Sequence, residues 1–226
     1  GVALISLPFA QKIPVGFVDN LFNVVSAMST TGLTTGSLSD MYTPFGKIIL
    51  LGLIQLGAIG YMTLTSFLIL STSKKISTHR VKILSAEFSM PENFDLKHFI
   101  SNIIIYTIIV EFIGTVLLCI EFSKLGLQKP LWSAIFHCVS AFSTAGFSIY
   151  ADGLCRFQND VSVNLIIAFL CYAGAIGFIV PMDIYRRLTH KSKEITFTTK
   201  IILFITVMIT LTGSVIYIGS SGADAL

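Results

Sequence analysis

The sequence is poor in charge. Only 12% of its 226 residues are Asp, Glu, Lys or Arg, about half the share usual in a soluble domain. A net charge of +3 is too small to make a nucleic-acid-binding face. Cysteine is scarce as well. Cys119, Cys138, Cys155 and Cys171 form no C-x-x-C pair and three of them lie in apolar segments, which argues against a zinc site and a disulfide framework. Long apolar runs contain few polar residues, chiefly Gln55, Asn102, Glu111 and Asn164. No nucleophile–base or metal-ligand spacing connects them, so an intramembrane enzyme is not indicated. The opening stretch from Gly1 to Phe9 has no basic flank and is too short to span, unlike a signal peptide. It reads as the tail of a longer helix.

Apolar length is what the chain has instead. Hydrophobic residues make up 54% and 18 of the residues are Phe. The runs 48–70, 99–118, 161–181 and 201–219 are long enough, at 1.5 Å per helical residue, to cross a bilayer core of about 30 Å. Thr43-Pro44 at the head of the first run has the pattern of an N-cap followed by Pro at the first helical position. Basic residues collect in 71–98 (Lys74, Lys75, Arg80, Lys82, Lys97) and in 185–200 (Arg186, Arg187, Lys191, Lys193, Lys200). Both stretches are therefore expected on the cytoplasmic side.

Between the runs one short pattern occurs twice. Phe22-Asn23-Val24-Val25-Ser26-Ala27-Met28-Ser29-Thr30-Thr31-Gly32-Leu33-Thr34 aligns without a gap on Phe136-His137-Cys138-Val139-Ser140-Ala141-Phe142-Ser143-Thr144-Ala145-Gly146-Phe147-Ser148, with 7 of 13 positions identical. The copies lie 114 residues apart, far beyond a solenoid period. A second echo follows: Leu56-Gly57-Ala58-Ile59-Gly60-Tyr61 and Ala173-Gly174-Ala175-Ile176-Gly177-Phe178, 117 residues apart. Each unit thus reads as a helix too short to span, a Ser/Thr-Gly turn, a loop and an inner span. The fold class expected is an all-α membrane protein, with repeated helix–re-entrant pore loop–helix units around a pore axis. The expected division is 1–72 for the first pore unit, 73–98 for a cytoplasmic linker, 99–188 for the second pore unit, and 189–226 for a linker and the first helix of a third.

The turns suit an ion filter. Non-helical backbone at membrane depth is tolerated where it is buried in protein or lines a water-filled cavity, and carbonyl oxygens can replace the water around a bare cation. Glycine reaches backbone angles closed to other residues. The candidate filter is Thr30, Thr31, Gly32 and Leu33 with Thr144, Ala145, Gly146 and Phe147. Potassium would be held by the backbone oxygens of Thr31, Gly32, Ala145 and Gly146, with the Thr30, Thr31 and Thr144 hydroxyls adding oxygens. No carboxylate lies inside either segment, which fits a weakly bound monovalent cation better than calcium or magnesium. The bland alternative makes these stretches external loops; their duplication weighs against it. Both Gly-x-x-Gly pairs are expected to serve close helix packing rather than a hinge. Glu111 must be paired, hydrogen-bonded or protonated. His137 is expected to be a hydrogen-bonding packing residue. Asp40 and Asp152, just past the turns, are placed to concentrate cations or merely to be solvated.

The segments 26–35, 55–62, 136–148 and 174–178 together resemble the Trk/Ktr/HKT superfamily of potassium transporters, most of all the membrane subunit of Ktr-type systems. The resemblance covers nearly the whole chain. It implies four such units in one polypeptide, with one filter glycine each, of which Gly32 and Gly146 match the first two. It implies uptake of potassium, often sodium-linked, at the plasma membrane. The implied assembly is a homodimer of the complete protein on a cytoplasmic nucleotide-binding regulatory subunit. No cofactor and no nucleic-acid partner is expected; the bilayer is the expected surroundings. Set against that pattern, the chain lacks most of the first helix, the remainder of the third unit and the fourth. A two-pore-domain potassium channel subunit and a non-transport membrane scaffold are the alternatives. Thr-Thr-Gly-Leu and Thr-Ala-Gly-Phe in place of Thr-Val-Gly-Tyr-Gly count against the channel.

Overall fold

A computed structural model of the chain describes residues 1–60, 96–189 and 195–223. The second part of the run 48–70, most of the linker 73–98 and the basic residues Lys191 and Lys193 lie outside the described residues. Every named element is helical, so the chain is an all-α membrane protein. Two compact units are formed, Gly1–Ala175 and Ile176–Leu226.

In the first unit a helical turn at Val2–Ile5 leads to the first half-helix, Phe17–Met28. Its 12 residues reach only about 18 Å at 1.5 Å each, too short to span. The first inner helix runs over Pro44–Ile59, opened by Thr43, whose hydroxyl accepts from the Gly46 amide, as the Thr-Pro pair predicts. The outer helix Leu96–Lys124 has 29 residues, and its portion Ile100–Lys124 is long and apolar enough to cross a membrane. Pro130 starts the second half-helix, Pro130–Phe142, and the second inner helix follows at Val161–Ala175.

Each inner helix ends inside its apolar run. The first inner helix ends at Ile59 and the second at Ala175. The reason is local: Gly60 and Gly177 take φ of +79° and +81°, angles that no α-helix contains. Both are the second glycine of a Gly-x-x-Gly pair, so these two break the helix instead of packing it.

One core cluster draws on both copies of the repeat. Val24, Ala27, Leu50 and Ile54 share it with Phe136, Val139, Ala145 and Phe147. A second cluster fills the space between the outer helix, the second half-helix and the second inner helix, with Leu118, Phe122, Cys138 and Leu170. Polar groups add one bond between the halves: Gln55 Nε2 of the first inner helix donates to Glu111 Oε2 of the outer helix at 2.9 Å. Glu111 therefore has a hydrogen-bonding partner for one carboxyl oxygen, while its Oε1 is buried without one among the described residues.

The second unit holds the helices Ile179–Leu188 and Phe197–Ala223. Asp183 joins them, accepting from the Thr196 amide and hydroxyl, each at 2.7 Å. Burial raises the Asp183 pKa, but those hydrogen bonds outweigh it and hold the carboxyl below its ordinary value.

Candidate functional site

Both half-helices end in the same way. Ser29 N–H donates to Val25 O, Thr30 N–H to Ala27 O and Thr31 N–H to Ser26 O. In the second copy Ser143 donates to Val139, Thr144 to Ala141 and Ala145 to Ser140. The last bond of each set spans five residues and wraps around a residue in the left-handed conformation, a Schellman motif. That residue is normally glycine. Here it is Thr30 (φ +51°) and Thr144 (φ +53°), the only non-glycine residues with positive φ among the described residues. Left-handed angles cost a β-branched residue about 1–2 kcal/mol, and the same cost is accepted at the same place in both copies. Each threonine hydroxyl donates to the carbonyl just before it, Ser29 O at 2.8 Å and Ser143 O at 2.7 Å.

Two residues further on, Gly32 and Gly146 are also left-handed, at φ +84° and +69°. They meet. A Cβ on Gly32 would run into the carbonyl oxygen of Ala145, and one on Gly146 would lie 3.7 Å from the Cα of Gly32. Turns 114 residues apart in sequence are thus neighbours, backbone to backbone. Of the eight candidate residues, Ala145 and Phe147 are buried, Thr30 and Gly32 are half-buried, and Thr31, Leu33, Thr144 and Gly146 are exposed. The Phe147 carbonyl is engaged, accepting from Ser140 Oγ at 2.7 Å.

The inner helices close on the turns through the first glycine of each pair. A Cβ on Gly57 would collide with the carbonyl of Met28, and one on Gly174 with that of Phe142. Met28 and Phe142 are the last residues of the two half-helices. The expected packing role holds for Gly57 and Gly174, and the absent side chain is what lets the backbones approach.

Side chains tie each outgoing segment back to its half-helix. In the first copy Asn23 Oδ1 accepts from Thr35 N–H at 3.2 Å, and Nδ2 donates to Tyr42 Oη at 2.9 Å. In the second, His137 Nδ1 faces the Ser133 carbonyl at 2.8 Å. A carbonyl only accepts, so the proton sits on Nδ1 and Nε2 accepts from the Ser148 hydroxyl at 2.9 Å. The imidazole is stacked on Tyr150 with ring centres 5.0 Å apart, so it is the packing residue expected. These anchors stand at equivalent positions, yet neither Asn nor His announces its partner in the sequence.

Asp152 has a partner that composition did not reveal. Its carboxylate takes Arg156 NH2 at 2.6 Å and Nε at 3.1 Å, and that hydrogen bond lowers its pKa. The charge offered to passing cations is therefore largely cancelled. Asp40 stays exposed and accepts from Ser39 Oγ at 2.9 Å. No cluster of three or more metal-ligating side chains occurs among the described residues; any cation here would meet backbone and hydroxyl oxygens.

The chain is all-helical, with a half-helix, a left-handed turn and an inner helix that occur twice. The chain belongs to the TrkH cation transport protein family, which matches residues 4–219. It is 31% identical over 210 residues to the Ktr system potassium uptake protein B of Bacillus subtilis, covering 92% of this chain and 47% of the relative. It is 30% identical over 221 residues to the potassium/sodium uptake protein NtpJ of Enterococcus hirae, covering 96% and 49%. The Ktr system potassium uptake protein B of Vibrio alginolyticus is 30% identical over 215 residues, covering 95% and 47%. The chain spans about half the length of these curated relatives.

Proposed function

We propose that this chain supplies two of the pore loops of a potassium uptake protein of the plasma membrane. The observation that carries the reading is the contact between the two left-handed turns, Gly32 against Ala145 and Gly146. In this reading the turns enter the membrane from outside and the backbone oxygens of Thr31, Gly32, Ala145 and Gly146 take the place of water around potassium. Each turn ends a half-helix, whose C-terminus carries roughly half a negative charge, a field that favours a cation without the tight grip of a carboxylate. Two turns provide part of a ring of oxygens; further units of the same kind in the complete protein would close it. The potassium uptake proteins among the relatives support potassium as the ion, and the potassium/sodium uptake relative supports sodium as a second. A homodimer, seated on a cytoplasmic nucleotide-binding regulatory subunit, is the assembly that goes with this reading.

The test is potassium-dependent growth and rubidium uptake of a host lacking its own uptake systems, expressing the complete protein with Gly32→Ser or Gly146→Ser. Both variants are expected to admit sodium and lose potassium preference. Uptake with unchanged selectivity in both variants overturns the filter assignment.

A further inference from the structure

We propose that a cationic cavity beside the second half-helix binds a phosphate group, in the form carried by an anionic phospholipid. The cavity has a volume of about 560 Å³ and is lined by Lys47, Lys129 and Arg156 together with Trp132, Tyr150 and Leu127 among others. No carboxylate lines it. It lies outside the filter turns and plays no part in the function proposed above.

Lys47 carries the argument. The residue is only 9% exposed, yet its ammonium has neither hydrogen bond nor ion pair among the described residues. The nitrogen is not sealed off either, and its residue lines the cavity. A charge removed from water and left unpaired is costly, and an anion in the cavity removes that cost. The other charges bearing on Lys47 are Lys12 and Asp40, of opposite sign, so they do not supply the missing counter-charge. Arg156 is neutralised by Asp152 and lies over the Tyr150 ring at 4.1 Å. Lys129 is exposed at the rim.

Backbone adds to the same sign. Pro44 and Lys47 belong to the first turn of the first inner helix, and Trp132 and Ser133 to the first turn of the second half-helix. Two helix N-termini, each with partial positive charge, therefore border one cavity, and no side chain caps the second. Such ends attract phosphate oxygens, with the Gly46 amide of the first already taken by Thr43. Ile48, Leu127 and Ile149 form apolar walls beside Gln128, and Trp and Tyr are the residues that sit at headgroup level. A phosphodiester with hydrocarbon attached matches this mixture better than a fully hydrated ion.

Trp132 is the single Trp of the chain and reports occupancy. The purified complete protein is titrated with brominated phosphatidylglycerol and, separately, brominated phosphatidylcholine, and the quenching that Trp132→Phe abolishes is followed. Inorganic phosphate, read by phosphorus NMR line broadening against a chloride control of equal ionic strength, forms the other arm. Saturable quenching by phosphatidylglycerol is expected, weakened about tenfold in Lys47→Met and in Lys129→Met, the loss of one charge-assisted contact each, and restored by Lys47→Arg. Lys47→Met keeps the buried stem, so folding is preserved. Phosphate broadening without lipid quenching identifies free phosphate as the source of the same group. Equal quenching by phosphatidylcholine, affinity unchanged in both Met variants, or silence in both arms overturns the proposal. Because binding and not uptake is read, failure here is separate from failure of the filter.

Discussion

The two copies of the turn share a backbone and differ in what holds it. Both turn at a left-handed threonine, both place a left-handed glycine two residues later, and both lean on a glycine of the following inner helix. Around that common frame the first loop uses an amide, Asn23, and a phenol, Tyr42. The second uses an imidazole wedged between Ser133 and Ser148 and stacked on Tyr150. The second half-helix is buried from Ser133 to Phe142 save one half-buried residue, whereas Phe22, Val25 and Met28 of the first remain exposed. Backbone geometry at the turn is thus the quantity kept across the duplication. The tether is interchangeable, provided it supplies a hydrogen bond to the segment leaving the turn.

The strongest way to break the comparison is to add a methyl where each inner helix meets its half-helix. Gly57→Ala and Gly174→Ala force a side chain onto a backbone carbonyl, and backbone has little room to yield. Each is expected to cost about 3 kcal/mol, at the upper end for overpacking, read as a fall in thermal midpoint. Gly52→Ala, where a Cβ meets nothing within 4 Å, should leave the midpoint near wild type. A large drop in only one of the two loops would end the claim of equivalence.

The two glycines in contact, Gly32 and Gly146, sharpen it next. Both variants to Ala pay about 1–2 kcal/mol for a left-handed side chain, but Gly32→Ala also meets the Ala145 carbonyl while Gly146→Ala finds space. Gly32→Ala should therefore be the less stable of the pair, by denaturation in detergent; the reverse order would contradict the observed contact.

Glu111→Ala, which leaves Gln55 Nε2 buried without its acceptor, should cost about 2 kcal/mol. The double variant Gln55→Leu, Glu111→Leu should recover most of it, and a double-mutant cycle gives the coupling. Smaller still, Thr30→Gly and Thr144→Gly relieve left-handed strain and should each stabilise by about 0.5–1 kcal/mol after glycine's own entropy is counted. Unequal gains would show that the two turns are not strained alike.

The smallest effect belongs to the second loop alone. Arg156 holds the Asp152 pKa below its ordinary value, so what the pair contributes is present above the ordinary carboxylate range and lost as pH falls through the depressed value. Melting curves of wild type and Asp152→Asn should differ slightly at neutral pH and converge in strong acid. The pair is exposed, which keeps the difference small.

Much of this was legible in the residues. The two copies of the turn, their short helices, the Thr43-Pro44 start and the demand for a partner at Glu111 follow from local pattern and from the cost of polar groups in hydrocarbon. The breaks at Gly60 and Gly177 were open to the same reading, but a glycine near a helix end serves equally as packing surface or as terminator. Only its backbone angle tells which. Asp152 and Arg156 lie in an irregular loop, where a spacing of four predicts no contact.

By itself the sequence determined the class of fold and the location of both turns, because apolar length, helix stops and duplication are properties of neighbouring residues. The tertiary structure decided which groups separated by long stretches of chain would touch: Gly32 with Ala145, Gly57 with Met28, Gln55 with Glu111. Those contacts depend on how closely two backbones approach and on which buried polar atoms must find each other, and neither distance nor burial is written in the order of residues.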